Sequence, residues 1–143
     1  MDSDVAQVID RTDLIENLTN QIIEKFISPR KEAFPFFWFV LMNNSIIPLG
    51  AKVKLILSIS QEVGFKIKRD PLWKVVRLRN AFAHHRTQSH PTFIVGKTPD
   101  EDDSIYVLHT FSSSMKMARI PREKALEDFT KNFISAKNTL LDS

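Results

Sequence analysis

The sequence predicts a mainly α-helical fold, with about four helices and a small β-hairpin inserted before the last one. Three observations predict it. Apolar residues recur at spacings of three and four over four separate stretches, most of them bounded by proline or glycine. Only between Thr92 and Leu108 does the pattern change to β-branched and aromatic runs. The chain has 143 residues, one domain's length, so residues 1–143 are read as a single domain.

Residues 1–11 read as a loose leader or a first helical turn. From Thr12 the periodicity is clear: Leu14, Ile15, Leu18, Ile22, Ile23 and Phe26 make one stripe. Asp13 followed by Glu16 has capping-box spacing, so the helix is expected to start at Thr12 or Asp13. Ser28-Pro29 ends it, because a residue before proline avoids the helical region. Lys31 to Asn44 holds Phe34, Phe36, Phe37, Trp38 and Phe39, too continuous for an amphipathic surface element. Core packing is the plain reading of that run; a dimer face is the sharper one.

Pro48-Leu49-Gly50 punctuates the chain, and Val53, Ile56 and Leu57, with Ser60 and Val63 as candidate extensions, carry a second helix to its stop at Gly64. Asp70-Pro71 reads as an N-cap with proline at the first helical position, opening a third helix to about Ala83. Thr92–Val95 and Ser104–Leu108 flank an acidic turn, Thr98 to Asp103, and form the expected hairpin. Asp100, Glu101, Asp102 and Asp103 lack the alternating spacing of a calcium loop and read as a solvated tip. The last helix begins near Pro121, with Leu126, Phe129, Phe133 and Leu140 as its stripe, widened by Ile134 and Leu141.

A formal net charge of +3 and a pI near 9.3 permit a polyanionic partner without demanding one. With no cysteine, disulfides, thiolate zinc sites and a cysteine nucleophile are excluded. The start, Met1 to Asp4, is acidic and unlike a signal peptide. The longest apolar stretch, Phe34 to Met42, is broken by Pro35 and far short of the ~20 residues a membrane span needs. A soluble, cytoplasmic protein without a membrane partner is expected.

The third helix carries the chemistry. Projected at about 100° per residue, Leu72, Val75, Val76, Phe82 and Ala83 share a face, with Arg79 in its middle. A guanidinium never deprotonates, so burying it unpaired is costly. Arg79 must be paired, or its face must open onto a cleft or a partner. Five residues on stands His84. The run Arg79-Asn80-Ala81-Phe82-Ala83-His84 resembles the R-x4-H motif of the HEPN superfamily. Pro48-Leu49-Gly50, Val53-Lys54-Leu55 and Val76-Arg77-Leu78-Arg79-Asn80 are similar to the mannitol operon repressor-like branch of that group. The similarity spans Pro48 to Arg86.

The resemblance implies a HEPN-like antiparallel helical bundle that dimerises through the face bearing the motif, the hairpin being an addition to it. Active members are metal-independent endoribonucleases, so neither cofactor nor metal is expected. By resemblance the catalytic residues are Arg79, His84 and Asn80; Arg86, whose added positive charge suits RNA phosphate, and His85 are read from the sequence itself as substrate-side residues. RNA is the implied substrate and a homodimer the implied assembly. In the toxin branch an antitoxin is the partner. That branch carries a tyrosine two positions after the histidine, where this chain has Arg86; its only tyrosine is Tyr106.

The residue types suit the chemistry. Metal-free RNA cleavage uses the 2′-hydroxyl as nucleophile and needs a base, an acid and cations for the phosphorane charge. Histidine serves as base or acid near neutral pH, and arginine's fork matches phosphate oxygens. Plainer roles compete. A histidine near a helix C-terminus also complements the helix dipole, His85 could simply face solvent, and His90 sits in a loop. Lys52, Lys54, Lys66, Lys68 and Arg69 form a basic rim or a solvated face. Trp73 and Lys74 fall off the apolar face. No basic recognition helix points to a DNA-binding repressor. Three readings follow: a dimeric ribonuclease, toxin or defence related; a non-catalytic regulator or scaffold acting through protein contacts, with Arg79 salt-bridged; and a nucleotide-binding helper.

Overall fold

The computed structural model describes residues 3–87, 107–111 and 117–143, with side chains described over 3–83 and 122–143. The chain is mainly helical: α1 (Ser3–Ile27), α2 (Phe34–Phe36), α3 (Leu49–Val63), α4 (Arg69–Thr87) and α5 (Arg122–Leu141). α1 packs against α3, α4 and α5, and α4 also packs against α5, so the core lies around α1 and α4.

α1 starts nine residues earlier than the capping-box spacing suggests. Val5, Val8, Thr12, Ile15, Thr19 and Ile23 are buried at spacings of three and four, so one stripe runs unbroken through Thr12. The buried hydroxyls are met locally: Thr12 Oγ1 donates to the Val8 carbonyl at 2.7 Å and Thr19 Oγ1 to that of Ile15 at 2.8 Å. Burying each such valine or isoleucine is worth about 1.5–3 kcal/mol, which outweighs a cap at Thr12. Leu14 and Phe26, expected in the stripe, are largely exposed. The helix ends at Ile27, ahead of Ser28-Pro29 as the proline dictates.

The aromatic run departs from core packing. α2 passes into a π-helical turn, Phe37–Leu41, whose extra residue shows in the Met42 N–H donating to the Phe37 carbonyl at 2.9 Å. Phe37 is buried, and Trp38 packs edge-on against it. Phe36 and Phe39 remain 60% and 78% exposed, so the run anchors by one ring and presents others outward.

α3 and its terminators match expectation, except that Val63 is exposed while Ser60 is buried in the stripe. The Leu49 N–H is capped by Asn44 Oδ1 at 3.0 Å, and Gly64 at φ 95° closes the helix with its N–H on the Ser60 carbonyl. α4 begins at Arg69, so Asp70 lies within the first turn rather than at the cap, and it continues past Ala83 to Thr87. Pro71 is tolerated there because first-turn N–H groups have no helical acceptor. α5 follows Pro121, and its buried face is Ala125, Phe129, Phe133, Ala136 and Leu140, with Phe129 and Phe133 stacked. Ile134 and Leu141 do not widen that face; they are exposed.

The expected hairpin is not seen. Its first strand, Thr92–Val95, and its turn, Thr98 to Asp103, lie outside the described residues. Two short extended stretches, β1 (Val107–Phe111) and β2 (Met117–Pro121), pair antiparallel with Val107 opposite Pro121 and Phe111 opposite Met117. Among the described residues no helix is long and apolar enough to cross a membrane.

Candidate functional site

α4 fixes the position of the motif. Leu72, Val75, Val76, Leu78, Ala81 and Phe82 are buried, while Ala83 is only half-buried. The buried face is therefore wider than the expected one and rotated toward Leu78 and Ala81, because α4 is covered by both α1 and α5. Arg79 lies within that face, between Val75 and Leu72 and off its centre; it is half-buried, and Asn80 beside it is exposed. The helical backbone carries on through His84, His85 and Arg86, so the R-x4-H motif lies within one helix. At 1.5 Å per residue, position 84 stands about 7.5 Å beyond position 79 along the axis. The side chains of His84, His85 and Arg86, and all of His90 and Tyr106, lie outside the described residues.

Arg79 faces an acidic row on α1. Desolvation, followed by the charges of Glu16 and Asp10, pushes the Asp13 carboxyl above its ordinary value, and the Arg79 guanidinium pulls the other way more weakly. That pull places Arg79 within electrostatic reach of Asp13. Yet no carboxylate among the described residues comes within the 4.0 Å of an ion pair with it.

One turn along α1 the outcome differs. Lys52 of α3 is completely buried, contrary to its expected place on a basic rim. Its Nζ donates to Glu16 Oε2 at 2.7 Å and to the Met42 carbonyl. The signal was present in the sequence: Lys52 stands between Leu49 and Ile56 on the apolar stripe of its helix, as Arg79 does on its own. Trp73, expected off the apolar face, instead packs partly buried against the core. Lys54, Lys66, Lys68 and Arg69 are exposed.

Among the described residues no group of three or more His, Asp or Glu side chains is placed to hold a metal ion. The site's assets are one half-exposed guanidinium, an exposed amide and a helix that leads on to two histidines. No family model, no curated protein and no solved structure matches this chain. The functional reading therefore rests on its own residues.

Proposed function

We propose that the chain is a single-domain, HEPN-like, metal-independent endoribonuclease that works on RNA as a homodimer in the cytoplasm, in a toxin or defence setting. The observation that carries the reading is Arg79. Among the described residues its guanidinium, half-buried on α4, has no ion-pair partner, whereas Lys52, on an equivalent stripe position of α3, is paired with Glu16. An arginine kept unpaired beside a core is available for a phosphate.

In this reading a base takes the proton of the ribose 2′-hydroxyl, whose oxygen bonds to the adjacent phosphorus. The bond to the 5′-oxygen breaks, and an acid protonates that leaving oxygen. The products are a 2′,3′-cyclic phosphate and a 5′-hydroxyl. Arg79 offsets the phosphorane charge, Asn80 assists, and His84 supplies acid or base. One chain offers one motif histidine, so the acid–base pair is completed across a two-fold axis. Arg86 and His85 hold the substrate strand. The exposed Phe36 and Phe39 are candidates for the contact between copies, since exposed apolar patches commonly mark interaction surfaces.

A second reading is favoured by one observation. Asp13 stands close enough to Arg79 to be pulled by its charge. In a non-catalytic regulator or scaffold, of the mannitol operon repressor-like kind, that attraction is the reason Arg79 is there. The deciding experiment is RNA cleavage in EDTA by the parent, Arg79→Ala and His84→Ala proteins, with the cyclic-phosphate end as the signature. A parent that cuts and two folded variants that do not establish the ribonuclease. An inert parent, with both variants folded as well as it is, moves the reading to the regulator and to a search for its protein partner.

A further inference from the structure

We propose that the cavity between the end of α3 and the start of α4 binds a small ligand carrying two or more phosphate groups. The cavity has a volume of about 1140 Å³. Lys54, Lys66, Lys68 and Arg69 all line it, against the single carboxylate of Asp142. The lining thus carries a surplus of three positive charges, four cations against one carboxylate.

None of these four cations has a carboxylate within 4.0 Å among the described residues. Among the described residues Lys52, Arg122 and Lys124 are ion-paired, while Arg79 and several exposed lysines are not; what sets these four apart is that they share one lining. Like charges gathered around one concavity repel each other, and a multivalent anion removes the repulsion at several of them at once.

The wall is built, not incidental. In the extended link from α3 to α4, Phe65 and Ile67 pack against the core while Lys66 and Lys68 alternate outward. The Lys68 N–H donates to Thr139 Oγ1 at 2.9 Å, tying this link to the end of α5. Trp73, also in the lining, lies near the start of α3, where a Cβ added to Gly50 would come 3.9 Å from its Cζ3. Its Nε1 is buried and finds no acceptor, leaving the lining with one unmet donor.

Arg69 lies about 15 Å along α4 from Arg79 by helical rise, so this cavity is separate from the motif. It is an open depression lined by α3, the link, the start of α4 and the end of α5, and it has room for a compact polyanion. Such phosphates come either on a free small molecule or at the 5′ end of an RNA.

The test is titration of the full chain, in a Trp38→Phe background, with sodium tripolyphosphate at ~0.15 M salt, reading Trp73 fluorescence. Saturable one-to-one binding is expected. The triple variant K66Q/K68Q/R69Q should weaken it at least tenfold, and K25Q/K31Q/K131Q should leave it unchanged. If the triple variant does not fold, Lys54→Gln alone should weaken binding about threefold. Absence of saturation, or equal weakening by the control triple, overturns the proposal. Competing oligonucleotides assign the source. Displacement by a 5′-triphosphate RNA but not by its 5′-hydroxyl form upholds the site as one for RNA ends. Displacement by neither upholds it for a free ligand. Equal displacement by both overturns it, because the cations would then be reading any phosphate backbone.

Discussion

Two cations sit against neighbouring turns of α1, and the molecule treats them differently. Lys52 is taken out of water entirely and given two acceptors, the Glu16 carboxylate and the Met42 carbonyl. Arg79 stops at the edge of the core, half in water, with Asp13 near enough to feel but not to bond. Both interrupt an apolar stripe, and burying either unpaired would cost several kcal/mol. The first region meets that cost with geometry. The second avoids it by partial exposure, which leaves the guanidinium's donors without a protein partner among the described residues. A structural cation and an available one are thus distinguished by their partners, not by their place in the sequence pattern.

The largest effect should come from breaking the satisfied region. Lys52→Ala strands the Glu16 carboxylate and the Met42 carbonyl and opens a hole, and loss of one partner of a buried pair costs about 3–5 kcal/mol. For a chain of this size that is a fall of roughly 10 °C or more in Tm. Chemical denaturation should also give a coupling with Glu16→Gln of about 1 kcal/mol or more in a double-mutant cycle. If Lys52→Ala melts like the parent, Lys52 is not the partner-bound core residue described above.

Arg79→Ala should invert that profile. Stability is expected to move by no more than about 1 kcal/mol, since no direct ion pair is lost. RNA cleavage in EDTA should fall about 10²–10³-fold, the usual cost of removing one group that stabilises transition-state charge. His84→Ala should fall about 10²–10⁴-fold, as for a lost general acid or base. An Arg79→Ala protein as unstable as Lys52→Ala would erase the difference between the two regions and favour the regulator reading.

The contrast was half legible in the sequence. Heptad-like spacing located α3 and α5, Gly64 and Pro29 marked helix ends, and Arg79 stood out as a cation on an apolar face. Lys52 satisfies the same criterion but was assigned to a basic rim, because Lys54, Lys66, Lys68 and Arg69 suggested a shared surface. What told the two apart was tertiary: Glu16 and Met42 come from other segments and meet Lys52 only after packing. The early start of α1 was missed for a different reason. Val5, Val8 and Ile9 are few among polar neighbours, and burial against the rest of the bundle, not local propensity, makes them helical. The aromatic run misled because hydrophobicity predicts burial only one way; exposed apolar side chains are common on folded surfaces.

That exposure gives a smaller test. Phe39→Asp should leave thermal stability within about 0.5 kcal/mol, because the ring is 78% exposed. In sedimentation it should shift a dimer toward monomer and reduce RNA cleavage in parallel. A dimer that persists through the substitution would place the contact elsewhere on the chain.

The smallest effect is the sharpest probe of Arg79. Because the Asp13 carboxyl is raised, the folded state holds its proton more tightly than the unfolded state does. Its contribution is therefore unfavourable at neutral pH: stability falls as pH climbs from the ordinary aspartate range through the raised value. Asp13→Asn should remove that penalty. The variant should exceed the parent by a few tenths of a kcal/mol at pH 7, solvent screening keeping the gain small, and match it below the ordinary aspartate range. In an Arg79→Ala background the one favourable charge acting on Asp13 is gone, so the gain from Asp13→Asn should grow. Urea unfolding of the four proteins at two pH values reads both differences. If Asp13→Asn instead destabilises the parent and is neutral without Arg79, attraction between the two outweighs burial and the acidic neighbours. Arg79 would then be held by α1 much as Lys52 is, and the guanidinium would no longer be free for a phosphate.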